Sequence, residues 1–351
     1  MPPGWRVLQR FGGPPREQPD RAYVRAHGSY GCPAGGCTAD RGGRVAVAEP
    51  PAARGTGRMV ELSVYSAAMD RPIPVAVLPA VDATRPAPVL YLLNGVDGGT
   101  DTGDWRDGSN WLTKTDVDRF FADKQVTVVI PIGGAGSFFA DWRVDDPVLG
   151  RQRWTTFLTR ELPPVVDEAF QGSGANALAG LSMASSAVFR LALAAPGLYR
   201  ALGSYSGCVR TGDGLGQVMV DAVVASRRGN PLNMWGPPTD PAWAENDPYL
   251  HAARLRGTAI YVSSGTGQAG TFDTLGGPGI DGNAVKLVDQ LVIGGILDAV
   301  TSACTRQLGD RFRELDIPAV IDLRASGTHS WPYWQQDLHN SWAVFAGALG
   351  Q

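Results

Sequence analysis

Short apolar runs alternate with longer helical segments along most of the chain. Six runs rich in Val, Leu, Ile and Ala have the length of strands that are buried on both faces. They are VLYLLNG, VTVVIPIGG, NALAGLS, ALGSYSG, TAIYVSSG and AVIDLRA. Because strands that alternate with helices are typical of a doubly wound sheet, the pattern predicts a mostly parallel α/β fold with flanking helices.

The pattern changes at Met59, where the folded domain is predicted to begin. The runs MVELSVYS and IPVAVLP alternate or contain β-branched residues, and the turn-forming MDRP separates them. They predict an N-terminal antiparallel hairpin. Residues 1–57 are rich in Gly, Pro, Arg and Ala. Without periodicity such a segment buries little apolar surface, so a poorly ordered extension over residues 1–57 and one domain over 58–351 are expected.

The segment from Gly229 to Pro248 interrupts the alternation. It contains NPLNMWGPPTDPAWAENDP, which is dense in Pro, Trp and Asn. We predict a long ordered loop over the carboxyl edge of the sheet, where α/β proteins bind their ligands.

Charge and composition exclude several classes of function. The net charge is −3 and charged residues make up 19% of the chain, so there is no basic excess for binding nucleic acid. No run of about 18 uninterrupted apolar residues occurs, so no transmembrane segment is expected. The first residues, MPPGWRVLQRFGGPP, lack the apolar core of a secretory signal.

The cysteines give no sign of a metal or redox motif. Cys32, Cys37, Cys208 and Cys304 form no C-x-x-C pair. Their even number fits two disulfides in an oxidising compartment or a set of buried free thiols. Neither a metal nor a cofactor is predicted.

One motif indicates a nucleophile. The pentapeptide GLSMA, with Ser182 at its centre, lies between the strand NALAGL and the helix-forming run MASSAVFRLALAA. In a G-x-S-x-G elbow the serine lies on a tight strand-to-helix turn that requires small residues two positions away, and Ala184 satisfies that requirement. The dipole of the following helix favours developing negative charge there. The alternative is an ordinary serine N-cap.

A serine nucleophile needs a general base. The chain contains four histidines: His27, His251, His329 and His339. His27 falls in the extension, His251 follows the Pro- and Trp-rich loop, and His339 falls in the last predicted helix. His329 follows the last strand in the loop GTHSW, where the order Ser, acid, His places the base. We therefore predict His329 as the base, with a purely structural loop histidine as the alternative.

The motifs alone leave the acid of the triad open. Chain order places it between TAIYVSS and the strand before the histidine. Seven carboxylates satisfy that order: Asp273, Asp281, Asp289, Asp298, Asp310, Glu314 and Asp316. An oxyanion hole needs two backbone N–H groups. Met183, directly after the nucleophile, and Val96, in the Gly-rich loop 94–99, are predicted to supply them, unless that loop is merely a tight turn.

Six stretches together resemble the secreted mycolyltransferases of the antigen 85 family. They are YLLNGVDGG, VIPIGGAGSFFADW, WTTFLTRELP, GLSMASSA, NMWGPPTDPAW followed by NDP, and GTHSWPYW. The resemblance extends from about Met59 to the C-terminus. It implies an α/β-hydrolase catalytic domain, a secreted or cell-envelope location, and an acylated trehalose or other sugar ester as substrate.

The resemblance also implies roles for individual residues. It agrees with Ser182 as nucleophile, His329 as base, and Val96 and Met183 as oxyanion donors. It selects Asp298 as the acid, because the family's glutamate, in a segment like L-E-G, falls on the L-D-A of residues 297–299. The side chain is here one methylene shorter than in the family.

The predicted sugar site departs from the family. Its D-G-L-R loop becomes Asn94-Gly95-Val96-Asp97, so a carboxylate becomes an amide and a cation becomes an anion. Asn94 and Trp331, which matches an aromatic of the family's sugar site, are predicted to bind substrate, with core packing as the alternative for Trp331. The acceptor is then trehalose, another sugar or a cell-wall polysaccharide.

A disulfide between Cys208 and Cys304 is also predicted. Cys208 ends a central strand near the elbow, and Cys304 lies on the helix that carries Asp298.

The sequence therefore predicts a serine acyltransferase that moves a mycoloyl group through an acyl-enzyme. The first alternative is a secreted carboxylesterase that transfers the acyl group to water. The second is a non-catalytic binding protein that keeps the fold, although retention of Ser182, His329 and an acidic Asp298 argues against it.

Overall fold

A computed structural model describes residues 23–26, 59–101 and 103–351. A single sheet organises this part of the chain. Its strands are β1 (Tyr23–Ala26), β2 (Val60–Ser66), β3 (Arg71–Leu78), β4 (Ala87–Leu93), β5 (Thr127–Pro131), β6 (Gly172–Leu181), β7 (Tyr199–Tyr205), β8 (Ala259–Ser264) and β9 (Val320–Leu323). Their order across the sheet is β1-β2-β3-β5-β4-β6-β7-β8-β9.

The sheet is antiparallel at one edge and parallel elsewhere. Antiparallel pairing joins β1 to β2, β2 to β3 and β3 to β5. All pairs from β5 through β4 and β6 to β9 are parallel. The hairpin β2–β3 is the one predicted from MVELSVYS and IPVAVLP, and the α/β-hydrolase fold is confirmed. Strand β1 falls within residues 1–57, and the other residues of that predicted extension lie outside the described part of the chain.

Helices cover both faces of the sheet. They are α1 (Trp111–Lys114), α2 (Val117–Phe120), α3 (Trp154–Thr156), α4 (Leu162–Phe170), α5 (Ala184–Ala194), α6 (Gly214–Ser226), α7 (Leu232–Trp235), α8 (Ala242–Glu245), α9 (Ala284–Asp289), α10 (Gly295–Glu314) and α11 (Trp331–Leu349). The π-helical turns Phe157–Glu161 and Gln290–Gly294 join α3 to α4 and α9 to α10. The predicted loop 229–248 contains the one-turn helices α7 and α8.

Two hydrophobic clusters lie on opposite faces of the central strands. In β4, Val89 and Tyr91 belong to one cluster, and Leu90 and Leu92 belong to the other. Side chains alternate between the two faces of a strand, so a strand covered on both sides is apolar at every position. This is why the central strands are continuous apolar runs in the sequence.

The long helix formed by α9, the π-turn and α10 has an unusual composition. Ala284–Glu314 spans 31 residues, and its most apolar window has a mean hydropathy of 1.5, so by length and composition it is a candidate for crossing a membrane. Only 33% of that window is buried. The sequence contains no uninterrupted apolar run of this length, because Asp289 and Asp298 lie within it. These two residues do not make the window polar, so the absence of such a run does not exclude this helix as a membrane span. In the structure α10 packs against β8 and β9.

A disulfide connects the end of the central sheet to this helix. Cys208 lies just beyond β7, Cys304 lies within α10, and the two are 96 residues apart in sequence. The crosslink therefore closes a long loop between the region of the elbow and α10.

Removal of the disulfide is expected to destabilise the protein strongly. In the Cys208→Ser/Cys304→Ser variant, the unfolded chain regains the entropy of a loop of about 100 residues, so the free energy of unfolding should fall by about 2–5 kcal/mol. Urea unfolding under non-reducing conditions measures this. Cys32→Ser/Cys37→Ser is the matched control, and an equal effect of both double variants would contradict the prediction.

Candidate active site

The elbow is a sharp turn between β6 and α5. Ser182 has a φ of 53°, a left-handed conformation that is costly for a residue other than glycine. Its N–H donates to the Tyr205 carbonyl at 2.8 Å. A side chain at Gly180 would bring a Cβ to 2.7 Å from the Ala184 Cβ. Small residues on both sides of the serine are therefore a steric requirement of this turn.

Three side chains from three segments form one hydrogen-bonded chain. Ser182 Oγ lies 2.8 Å from His329 Nε2, and His329 Nδ1 lies 2.9 Å from Asp298 Oδ1. The side chain of His329 is 10% exposed and that of Asp298 is fully buried. With Nδ1 protonated, the histidine presents an unprotonated Nε2 to the serine hydroxyl, which is the arrangement that a general base needs.

The Asp298 carboxylate has further partners inside the protein. The Gly265 N–H donates to Oδ2 at 3.0 Å, and the hydroxyls of Ser206 and Thr301 donate at 3.4 and 3.3 Å. The guanidinium of Arg324 lies 3.7 Å from Oδ2. These donors stabilise a carboxylate that has no access to water. Asp298 thus reaches His329 without the extra methylene of the family's glutamate.

Arg324 also forms an ion pair with Asp337, which lies on α11. Burial raises the pKa of Asp337 to about 6, although the guanidinium opposes the shift. The largely buried Arg324 therefore lies between two buried carboxylates, one of which, Asp298, is the partner of His329.

The other candidate acids have different surroundings. Asp273 is buried and accepts a hydrogen bond from Thr328, next to the histidine in sequence. The remaining candidates are exposed on loops or helices: Asp281, Asp289, Asp310, Glu314 and Asp316. None of these is hydrogen-bonded to His329 in the described part of the chain.

The other two histidines of the described residues have partners outside the triad. His251 Nε2 lies 3.0 Å from the Ala244 carbonyl. His339 pairs with Asp116 and stacks on Phe120. His27 lies outside the described residues.

The Gly-rich loop after β4 passes beside the nucleophile. A Cβ on Gly95 would lie 3.6 Å from the Ser182 Cβ and 2.8 Å from Leu181 Cδ1. The carbonyl of the next residue, Val96, accepts a hydrogen bond from the Gly136 N–H at 3.0 Å, which fixes the loop. Met183 follows the serine at the N-terminus of α5 and is 3% exposed. Both predicted oxyanion donors therefore belong to segments that border Ser182.

Asn94 and Asp97, the two polar residues at which this loop departs from the D-G-L-R of the family, have partners inside the protein. Asn94 is completely buried; its Nδ2 donates to the Pro131 carbonyl and its Oδ1 accepts from the Trp111 N–H, both at 3.3 Å. Asn94 therefore holds the loop, and this arrangement offers no exposed atom for its predicted contact with substrate. Asp97 forms an ion pair with Arg227, at the end of α6. Burial raises the pKa of Asp97, against the effect of Arg227.

Aromatic rings form one wall of the site. Trp334, which the motifs did not single out, contacts the His329 imidazole edge-to-face at 4.9 Å between ring centres. Trp331 packs edge-to-face on Trp334 and on Trp111, at 5.2 and 5.6 Å. Trp331 remains partly exposed. The segment GTHSWPYW thus supplies both the histidine and the aromatic wall beside it.

The described residues contain no group of three or more His, Cys, Asp or Glu side chains that could hold a metal ion.

Comparison with known proteins gives the family. Residues 66–344 match the model of a putative esterase family. The chain is 32% identical to the diacylglycerol acyltransferase/mycolyltransferase Ag85B of Mycobacterium leprae, over 79% of this chain and 80% of that protein. It is 31% identical to Ag85C of Mycobacterium avium, over 71% and 67% of the two chains.

Solved structures agree with this comparison. The crystal structure of Mycobacterium tuberculosis MPT51 (FbpC1) superposes with a TM-score of 0.65 at 25% identity, covering 82% of this chain and 97% of that one. The serine hydrolase FphF of Staphylococcus aureus, at 16% identity and a TM-score of 0.60, shares the fold. The chain therefore belongs to the putative esterase family and to the family of the Ag85 mycolyltransferases.

Proposed function

We propose that the protein is a serine acyltransferase in which Ser182 is the nucleophile, His329 the general base and Asp298 the triad acid. The single observation that carries this proposal is the continuous hydrogen-bonded chain from Ser182 Oγ through the imidazole to Asp298, at 2.8 and 2.9 Å. Membership of a family whose relatives are named acyltransferases supports the reaction class.

In the first half-reaction His329 Nε2 accepts the Ser182 hydroxyl proton while Oγ attacks the carbonyl carbon of an ester. The resulting oxyanion is stabilised by the N–H groups of Val96 and Met183. The imidazolium then donates its proton to the leaving alcohol as the carbon–oxygen bond breaks, and the acyl group stays on Ser182. Asp298 holds Nδ1–H throughout and stabilises the imidazolium.

In the second half-reaction a hydroxyl of the acceptor takes the place of the first alcohol. His329 removes its proton, the acceptor oxygen attacks the acyl-enzyme, and the serine leaves with the proton returned by the imidazolium. A sugar hydroxyl as acceptor gives transfer, whereas water gives hydrolysis. The triad is the same in both reactions, so the acceptor decides the activity.

An exposed apolar stripe supports a long acyl chain on the donor. Five aliphatic side chains, each more than half exposed, follow the helix α9–α10: Val285, Val288, Val292, Ile293 and Ile296. The same helix contacts the base loop through its buried side, where the Gly294 carbonyl accepts the His329 N–H at 3.2 Å. A contiguous exposed apolar surface of this kind marks an interaction site, and each CH₂ group that it covers contributes about 0.8 kcal/mol.

Charges in the stripe are expected to change chain-length selectivity. In Val288→Asp/Ile296→Asp, kcat/KM for a palmitoyl ester should fall at least about 10-fold relative to a butyryl ester, because carboxylates must be desolvated under a bound chain. Kinetics with both esters measure the ratio. Val81→Asp/Leu250→Asp, which alters exposed positions outside the stripe, is the matched control. An unchanged ratio in the stripe variant would exclude the stripe as an acyl-binding surface.

We further propose a sugar ester of the trehalose type as donor, trehalose, another sugar or a cell-wall polysaccharide as acceptor, and a secreted or cell-envelope location. The partly exposed Trp331 beside the base supports sugar binding, since sugar rings pack on aromatic faces. The Cys208–Cys304 disulfide supports an oxidising compartment.

The second candidate is a carboxylesterase, which the description of the family favours. Mass spectrometry of the products from an acyl-sugar donor, with and without added trehalose, separates the two activities. Transfer predicts an acylated second sugar whose yield rises with acceptor concentration. Free acid at a yield that trehalose does not change would assign the protein as an esterase.

A further inference from the structure

Asp273 is a buried carboxylate that the proposed chemistry does not use. It lies in the loop between β8 and α9 and is 7% exposed. Its Oδ1 accepts hydrogen bonds from Gln290 Nε2 and Thr328 Oγ1, both at 2.5 Å. Its Oδ2 accepts from the Gly270 N–H at 2.8 Å and from the Tyr333 hydroxyl at 2.7 Å. All four acceptor positions of an ionised carboxylate are therefore in use.

Three of these four donors come from segments around His329, and the fourth, Gly270, lies in the same loop as Asp273. Thr328 directly precedes the histidine and is itself fully buried. Tyr333 lies in the first turn of α11, just after the histidine loop. Gln290 opens the π-turn whose last residue, Gly294, accepts the His329 N–H. One carboxylate thus joins the base loop to the helix after it and to the helix that carries Asp298.

Backbone contacts connect the same loops. The Gly267 N–H donates to the Gly327 carbonyl at 2.9 Å, and the Gly327 N–H donates to the Gln268 carbonyl at 2.7 Å. Gly327 has a φ of 114°, and an added Cβ would lie 3.0 Å from the Tyr333 ring. These backbone bonds align the loop after β8 with the base loop. Asp273, in the first of these loops, adds a side-chain bond to Thr328 in the second.

We propose that Asp273 is a positioning residue that holds His329 at hydrogen-bonding distance from Ser182. This inference rests on the proposed function. An amide at this position cannot reproduce the contacts, because one oxygen is replaced by an NH₂ group that faces two donors. Two of the four hydrogen bonds to this side chain are then lost, and the backbone bonds alone are left to hold the base loop against its neighbours.

The test measures the rate at which a phosphonate ester labels Ser182, together with kcat and KM for a short soluble ester. In Asp273→Asn, labelling and kcat should each fall about 10- to 100-fold with little change in KM, because a base misplaced by about 1 Å can cost roughly 10² in rate. Thr328→Val should show the same loss. Thr328→Ser, which keeps the hydroxyl, should stay within about threefold of the wild type.

A matched control separates positioning from stability. Asp146 is a second buried carboxylate with four hydrogen bonds, from the N–H groups of Val148, Leu149 and Asn230 and from Asn233 Nδ2. Asp146→Asn should lower the melting temperature without slowing the labelling of Ser182. All rates are measured well below each variant's melting temperature.

The outcomes are distinct. Wild-type labelling rates in folded Asp273→Asn would overturn the positioning role and leave the proposed function intact. If Asp273→Asn does not fold, equal rates for Thr328→Val and Thr328→Ser would overturn it instead. Failure of the wild type to label at Ser182 would overturn the proposed function and, with it, the role of Asp273.

Discussion

Replacement of Ser182 by alanine is expected to abolish the acyl-enzyme and to lower ester turnover by on the order of 10⁶-fold, the scale of losing the nucleophile in a serine enzyme. The side chain of Ser182 makes its hydrogen bond to His329, and alanine fits the same turn, so the melting temperature should change little. Steady-state kinetics and intact mass after incubation with a phosphonate measure both effects.

Ser186→Ala is the matched control for this variant. Ser186 is a buried serine one turn along α5 and makes no hydrogen bond to the histidine. It should keep full labelling. A covalent adduct on any other serine in Ser182→Ala, with turnover retained, would remove Ser182 from its proposed role.

Replacement of Asp298 by asparagine is expected to lower kcat by on the order of 10⁴-fold. An amide can donate to Nδ1, which favours the tautomer that carries its proton on Nε2, and that tautomer cannot accept the proton of Ser182. Measurement of kcat together with the melting temperature tests this. Asp289→Asn, an exposed carboxylate earlier on the same long helix, is the control and should retain full activity.

Asp298→Glu provides a second measurement of the same contact. Asp298 is fully buried and already lies 2.9 Å from the imidazole, so an added methylene has to displace its neighbours, at a cost of about 1–3 kcal/mol. We expect a loss of activity, in spite of the glutamate found at this position in the family. Near-normal kcat in a folded Asp298→Asn variant would show that another carboxylate serves as the acid.

Much of the fold could be predicted because its signals are local. Continuous apolar runs mark strands that are covered on both faces, and the two clusters that divide β4 show why. The elbow has a local signature as well, since the contact between Gly180 and Ala184 requires small side chains. These patterns depend on neighbours within one strand and one turn.

The surroundings of the site are formed by segments that are distant in sequence, so the sequence predicts them less well. Chain order left seven carboxylates as candidate acids, and motif spacing could not tell which one contacts His329. Asn94 was predicted to bind substrate, but its amide is used by Trp111 and Pro131. Asp273 is one of those seven carboxylates, and three of its four donors lie on loops and helices 17 to 60 residues away in sequence.

The exposure of the apolar stripe on α9–α10 could not be predicted from the sequence for a related reason. Helical periodicity shows that one face is apolar, but it does not show whether another element covers that face. Only the three-dimensional packing reveals that residues such as Val285 and Ile296 are exposed.

The most direct test of the central claim is to trap the acyl group on the enzyme. The protein is mixed with a long-chain acyl ester, quenched with acid within milliseconds to seconds, and examined by intact mass and peptide mapping. We predict a mass increase of one acyl group, located on Ser182, that disappears when trehalose or another acceptor is added. Turnover without any adduct on Ser182, or an adduct elsewhere that carries the flux, would contradict the account.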